Sequence, residues 1–139
     1  MKGSYEVHSL EGTWALAEDL AKELKPGDVV CLEGDLGAGK TTFTQGLASA
    51  LEVSGRVTSP TFCLVQEHRG KNVLLVHMDL YRLSSESDVL TIGWEDYLDE
   101  GAILIVEWPE RAGSLIPGNA KHIVFTHLEG EEHRRIEFL

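Results

Sequence analysis

Basic residues are scarce in this chain. Lys and Arg together number 12 against 23 Asp and Glu, for a formal net charge of −11 over 139 residues. A nucleic-acid backbone is held by clusters of Lys and Arg, so this deficit argues against extensive direct contact with DNA or RNA. It does not exclude a nucleotide held by one lysine and a metal. Cysteine is nearly absent: Cys31 and Cys63 sit in apolar runs without metal-ligand spacing and read as buried thiols in a reducing compartment. No apolar run is long enough to span a bilayer and no signal peptide opens the chain, so the expected compartment is the cytoplasm. Repeats, linkers and low-complexity stretches are missing too, and the length predicts one domain over residues 1–139. The six histidines form no H-x-x-x-H pair. His8, His68, His122, His127 and His133 read as surface residues, and His77, beside Asp79, is the one worth testing.

What is present is concentrated in Gly34-Asp35-Leu36-Gly37-Ala38-Gly39-Lys40-Thr41-Thr42, which has the form G-x-x-x-x-G-K-T of a phosphate-binding P-loop. Gly34, Gly37 and Gly39 have no Cβ, so the backbone can curl and come close to a ligand. Its N–H groups then converge on phosphate oxygens at the positive end of the following helix. Lys40 is the cation for the β- and γ-phosphates, and the Thr41 hydroxyl is placed for Mg²⁺. The flanks agree. Asp28 to Leu32 is a short apolar run suited to a buried strand, and Thr42 to Leu51 carries Phe43, Leu47 and Leu51 at helical spacing.

Along the rest of the chain, Tyr5 to His8 predicts a strand. Ser9 is a candidate N-cap, Gly12 weakens the first turn, and Thr13 to Leu24 predicts a helix ended by Pro26-Gly27. Pro60 makes the stretch around Ser59 and Thr61 a loop. Phe62 to His68 and Val73 to Met78, separated by Arg69 to Asn72, predict a β-hairpin, so the sheet is expected to be mixed. Ser84 and Ser85 can cap a helical turn through Leu90, and Trp94 to Leu98 predicts another short helix. Ala102 to Glu107 is the most hydrophobic run, a central buried strand ending in an acid. Ile123 to Leu128 and Arg134 to Leu139 predict a final strand pair.

The acid matters. A buried strand that delivers Glu107 to the mouth of the sheet has the form of a Walker B strand and can organise Mg²⁺ directly or through water. Asp79 ends the second hairpin strand; it is either a second acid near the γ-phosphate or a turn residue. Thr61 is either a hydroxyl that senses the γ-phosphate or a turn-stabilising threonine. Trp108 can shield the nucleotide or belong to the core. No N-K-x-D motif is present, and Asp79-Leu80-Tyr81-Arg82 lacks the final Gly of D-x-x-G, which favours ATP over GTP.

Taken together, Gly34 to Phe43, Ser59-Pro60-Thr61-Phe62, His77-Met78-Asp79-Leu80-Tyr81-Arg82-Leu83 and Val106-Glu107-Trp108-Pro109-Glu110 resemble the TsaE (YjeE) family of small bacterial ATPases. The resemblance implies a three-layer α/β domain of the P-loop NTPase type with a mixed, mostly parallel sheet. It implies a role in forming N6-threonylcarbamoyladenosine in tRNA, as an ATPase that binds a TsaD–TsaB complex, with tRNA reached only through that complex. It implies ATP and Mg²⁺ as cofactors, Lys40 on phosphates, Thr41 and Glu107 on the metal, Asp79 as a catalytic-site acid and Thr61 as a switch residue. Thr13 and either Arg134 or Arg135, with Arg135 preferred, are implied near the base or ribose. The rival reading is a small-molecule kinase on a P-loop fold, but an arginine-rich lid to clamp a transferred phosphate is lacking. A third is a nucleotide-binding regulatory module with negligible hydrolysis.

Overall fold

The structure is a computed structural model and describes residues 1–35, 38–54, 57 and 64–139. The elements run β1 (Gly3–Val7), α1 (Leu10–Ala21), β2 (Val29–Gly34), α2 (Lys40–Ala50), β3 (Val65–Arg69), β4 (Leu74–Asp79), α3 (Glu86–Thr91), α4 (Trp94–Asp99), β5 (Ile103–Glu107), a 3-10 segment (Pro109–Leu115), β6 (Lys121–His127) and β7 (Arg134–Phe138). The seven strands form one sheet in the order β1-β7-β6-β2-β5-β4-β3. Strands β6, β2, β5 and β4 are mutually parallel, while β7 and β3 run the other way. The sheet is therefore mixed and mostly parallel. The hairpin expected from Arg69 to Asn72 is what adds the antiparallel edge strand β3. No helix among the described residues is long and apolar enough to cross a membrane.

Alternation along the strands splits the core into two layers. On one face, Leu32, Ile105, Phe125 and Ile136 pack under α1 and α2, with Ala17, Leu20, Phe43 and Leu47 from the helices. On the other, Cys31, Met78, Leu104 and Val106 pack under α3, α4 and the 3-10 segment, with Val89, Trp94 and Ala112. Phe43 anchors α2: its ring meets Phe125 edge-on with centroids 5.4 Å apart. Burying such a side chain stabilises the fold by about 1.5–3 kcal/mol.

Several boundaries differ from the sequence expectation, each for a local reason. Helix α1 starts at Leu10 rather than Thr13, because the Ser9 hydroxyl caps it by accepting from the Gly12 N–H at 3.1 Å. Once that bond is made, Gly12 no longer delays the helix. The helix ends at Ala21; beyond it Glu23 N–H donates to Leu20 O at 2.9 Å in a tighter final turn. Leu24 still packs on the core from outside the helix. Strand β4 extends to include Asp79. The segment Pro109–Leu115, unassigned from sequence, winds as 3-10 turns with a break at Gly113. His68 is not a surface residue: it is buried, and its Nδ1 lies 3.3 Å from Ser54 O.

Candidate functional site

The site grows from the carboxyl ends of three neighbouring parallel strands. Gly34 ends β2, Glu107 ends β5 and Asp79 ends β4. Parallel register sets Leu32 opposite Glu107, and Glu107 opposite Asp79. Ligands of parallel α/β sheets bind just beyond such ends.

Gly34 is required by space. Its φ is +145°, and an added Cβ would stand 2.4 Å from Phe125 O on β6. Gly39 opens α2 in the left-handed conformation, with φ +106°, and no side chain caps the helix there. The N–H groups of the first turn are therefore left to a ligand or solvent. Leu36 and Gly37, between these glycines, lie outside the described residues.

Lys40, the first residue of α2, reaches back across the loop. Its Nζ donates to Gly34 O at 2.6 Å and lies 3.5 Å from Glu107 Oε1. Glu107 is buried, with 6% of its surface exposed, so its charge must be matched. The second oxygen is matched by His77, whose Nε2–H donates to Oε2 at 2.6 Å. Burial pushes the Glu107 carboxyl up, but the hydrogen bond from His77 and the positive charge of Lys40 outweigh it and hold the group below the usual carboxylate range. His77 is fully buried, and its Nδ1 has no hydrogen-bond partner among the described residues. The bond to Glu107 thus selects the tautomer with the proton on Nε2.

Asp79 is half-buried beside this pair and uses Oδ1 to accept from the Tyr81 N–H at 2.9 Å, a turn-forming bond. The Leu80 N–H, at 3.1 Å from Glu107 O, ties the same turn to β5. A cavity of about 370 Å³ opens in front of Lys40, lined by Gly34, Asp35, Trp108, Pro109 and Glu110 among others. Trp108 belongs to this mouth and not to the core: it is 40% exposed, holds φ +58° and sets its ring 4.8 Å from Tyr81. A left-handed backbone at a bulky residue is strained, and such strain collects at functional sites.

Of the residues expected at the site, Gly34, Asp35, Lys40 and Glu107 come together, with Asp79 next in register. Ala38 is buried; Thr41 and Thr42 follow Lys40 in the first turn of α2, both half-buried. Thr61 lies outside the described residues. Thr13 is buried in the α1 stripe with Ala17 and Leu20 and does not line the cavity. Arg135 is directed to Glu6, with Nη2 3.8 Å from Oε1, and does not line it either. Arg134, on the opposite face of β7, is the arginine against the loop: a Cβ on Gly39 would meet its Cδ at 2.9 Å. His77, which the sequence marked only as worth testing, turns out to be the partner of Glu107. The available signal was parity: two residues before Asp79 on one strand, it shares the face of Asp79.

A P-loop-type α/β domain is the class that this fold and this loop define. The structure superposes on the crystal structure of Bacillus subtilis YdiB with a TM-score of 0.81 and 33% identity, covering 99% of this chain and 84% of that one. Residues 7–136 match the family model described as threonylcarbamoyl adenosine biosynthesis protein TsaE. The chain is also 41% identical over 128 residues to the tRNA threonylcarbamoyladenosine biosynthesis protein TsaE of Bacillus subtilis, covering 92% of this chain and 79% of that protein. It is 46% identical over 107 residues to the protein of the same name from Aquifex aeolicus, covering 76% and 75%. The chain belongs to the TsaE family, whose members take part in tRNA threonylcarbamoyladenosine biosynthesis.

Proposed function

We propose that the protein binds and hydrolyses ATP with Mg²⁺, and that this ATPase serves N6-threonylcarbamoyladenosine modification of tRNA together with a TsaD–TsaB-like complex. The observation that carries the reading is the buried Glu107 facing Lys40 in front of Gly34. The residues present suit a magnesium–triphosphate group. Lys40 supplies a mobile cation, Thr41 a hydroxyl, Glu107 an ionised carboxylate, and the open start of α2 a set of N–H donors.

In this reading Lys40 leaves Gly34 O for the β- and γ-phosphates, and the glycine loop holds the same phosphates through its backbone. Thr41 and Glu107 would hold Mg²⁺. The metal, when bound, neutralises charge on the β- and γ-oxygens. His77 keeps Glu107 oriented and ionised. Asp79 has one oxygen in its turn bond and the other available to orient water. Trp108 and Glu110 line the same cavity. Thr61 would sense the γ-phosphate.

The deciding experiment is calorimetry of nucleotide binding at fixed Mg²⁺, with turnover measured alongside. Lys40→Ala should abolish hydrolysis and weaken ATP binding by about 1.5–3 kcal/mol, the worth of a charge-assisted phosphate contact. Unchanged affinity and turnover would refute the assignment. Transfer of phosphate to a small metabolite by the isolated protein would replace it with a kinase.

A further inference from the structure

On the sheet face opposite α1 and α2, where β1 ends and β7 begins, two histidines and a glutamate converge. Antiparallel register sets Glu6 opposite Arg135 and Val7 opposite Arg134, so the next step sets His8 opposite His133. Val7 and Ile136 point into the core under α1 and α2. By alternation Glu6, His8, His133 and Arg135 share the other face. Their surroundings are open: Glu6 and His8 are exposed and His133 is half-buried.

We propose that Glu6, His8 and His133 form a binding site for a zinc-class divalent cation, pinning strand β1 to β7. The donor atoms of all three lie within 4.8 Å of one another. The His8 and His133 rings stack with centroids 4.2 Å apart and planes 25° apart. A tetrahedral zinc with bonds of about 2.0–2.2 Å needs donors roughly 3.3 Å apart. The Glu6 Oε2 to His133 Nε2 separation is already 3.2 Å. His8 then has only to swing its ring off the stack.

The hydrogen bonds of His133 make the case sharper. Its Nδ1 lies 3.1 Å from Glu129 O, and its Nε2 faces the Glu6 carboxylate. Both ring nitrogens thus face acceptors. That pattern is satisfied by an imidazolium, or by a neutral ring that donates from Nδ1 while a cation sits between Nε2 and Glu6. The second arrangement is how metal-ligating histidines are oriented: the far nitrogen donates to a carbonyl, and the near one presents its lone pair. Glu6 is exposed, so its carboxylate is accessible to an arriving cation. Arg135 shares this carboxylate but takes the other oxygen, Oε1, at 3.8 Å. Two imidazoles with one carboxylate select zinc-class ions over Mg²⁺ and Ca²⁺, which prefer oxygen shells. The fourth position is left to water.

The test uses chelator-treated, nucleotide-free protein titrated with Zn²⁺ near neutral pH, followed by calorimetry and by the imidazole signals in NMR. One equivalent should bind and shift His8 and His133 together. His8→Gln and His133→Gln should each weaken binding at least tenfold. Mg²⁺ at the same concentration should leave both rings unmoved. Co²⁺ should give the visible absorption of a site with two nitrogen ligands, lost in either variant. These residues are on the surface, and far-UV circular dichroism with ATP affinity checks that the variants stay folded. Two results would overturn the site: equal zinc affinity in the His8→Gln/His133→Gln double variant, or a His133 imidazole signal that Zn²⁺ leaves unmoved.

Discussion

Glu107 has two partners, and removing either exposes a different cost. Lys40 is the partner that the proposed nucleotide would draw away; His77 has no such alternative, since it is fully buried. His77→Ala should therefore destabilise the fold by about 1–3 kcal/mol, by leaving a buried carboxylate oxygen unmatched. It should also change how stability depends on pH. In the folded protein the Glu107 pKa lies below its ordinary value of 4.5, so the unfolded chain takes up the proton first. The stabilisation from this group is complete above that ordinary value and is lost as pH falls through the lowered one. Without His77, burial dominates and the window shrinks or reverses. Urea midpoints between pH 3 and 6 should show a shallower acid slope in the variant; identical slopes would mean that His77 does not set the charge of Glu107. Gly34→Ala is a second residue-scale case, since its Cβ would stand 2.4 Å from a backbone oxygen that cannot swing aside. A loss of at least about 1–3 kcal/mol is expected in thermal melts.

Between elements, the tightest seam is α1 against α2. A Cβ on Gly46 would stand 2.8 Å from Ala17 Cβ and 3.1 Å from Trp14 Cδ1, so the helices touch because this residue is glycine. Helix propensity alone favours Gly46→Ala by about 1 kcal/mol. Overpacking at the seam opposes it by about 1–3 kcal/mol. The expected net effect is destabilisation, larger for Gly46→Val, and a stabilised Gly46→Ala protein in chemical denaturation would show that the seam can open freely. At the other end of α1, Ser9→Ala removes the cap bond to Gly12 and should cost about 1 kcal/mol. The caps at Ser9 and Ser85, the hairpin and the apolar strand β5 were all legible in the sequence, because each is a local pattern. The buried position of His68 and the 3-10 winding after Trp108 were not, because both depend on what packs against them.

For the whole molecule, the acidic balance and the proposed site have joint consequences. A net charge of −11 opposes phosphate contacts, so the isolated protein should bind tRNA weakly, and less still as salt rises. If ATP acts through a partner, slow isolated turnover should rise in a TsaD–TsaB-like complex, and an ATP analogue should favour that complex over ADP by its differential affinity. Association and ATPase rate measured with analogue, ADP and no nucleotide decide this; equal affinity in all three states without stimulation would reject the switch. Magnesium titrations sort the two acids. Glu107→Ala should raise the Mg²⁺ needed for activity, whereas Asp79→Ala should keep Mg·ATP binding and lose turnover. The reverse pattern would exchange their roles.

The sequence by itself determined the glycine pattern of the loop, the strand that carries Glu107 and the mixed character of the sheet. Each of these is written in neighbouring residues: a glycine pattern ending in Lys40-Thr41, an apolar run ending in an acid, and two strands joined by a short turn. Tertiary structure alone decided which residues surround that loop. Glu107 and His77 are 30 residues apart in sequence and 2.6 Å apart in space, because β4 and β5 pair in parallel with a register that no local pattern encodes. The same holds for β7. Alternation says that Arg134 and Arg135 face opposite ways, but only the packing of the sheet under α2 sets Arg134 against Gly39 and turns Arg135 to Glu6, beside His8 and His133.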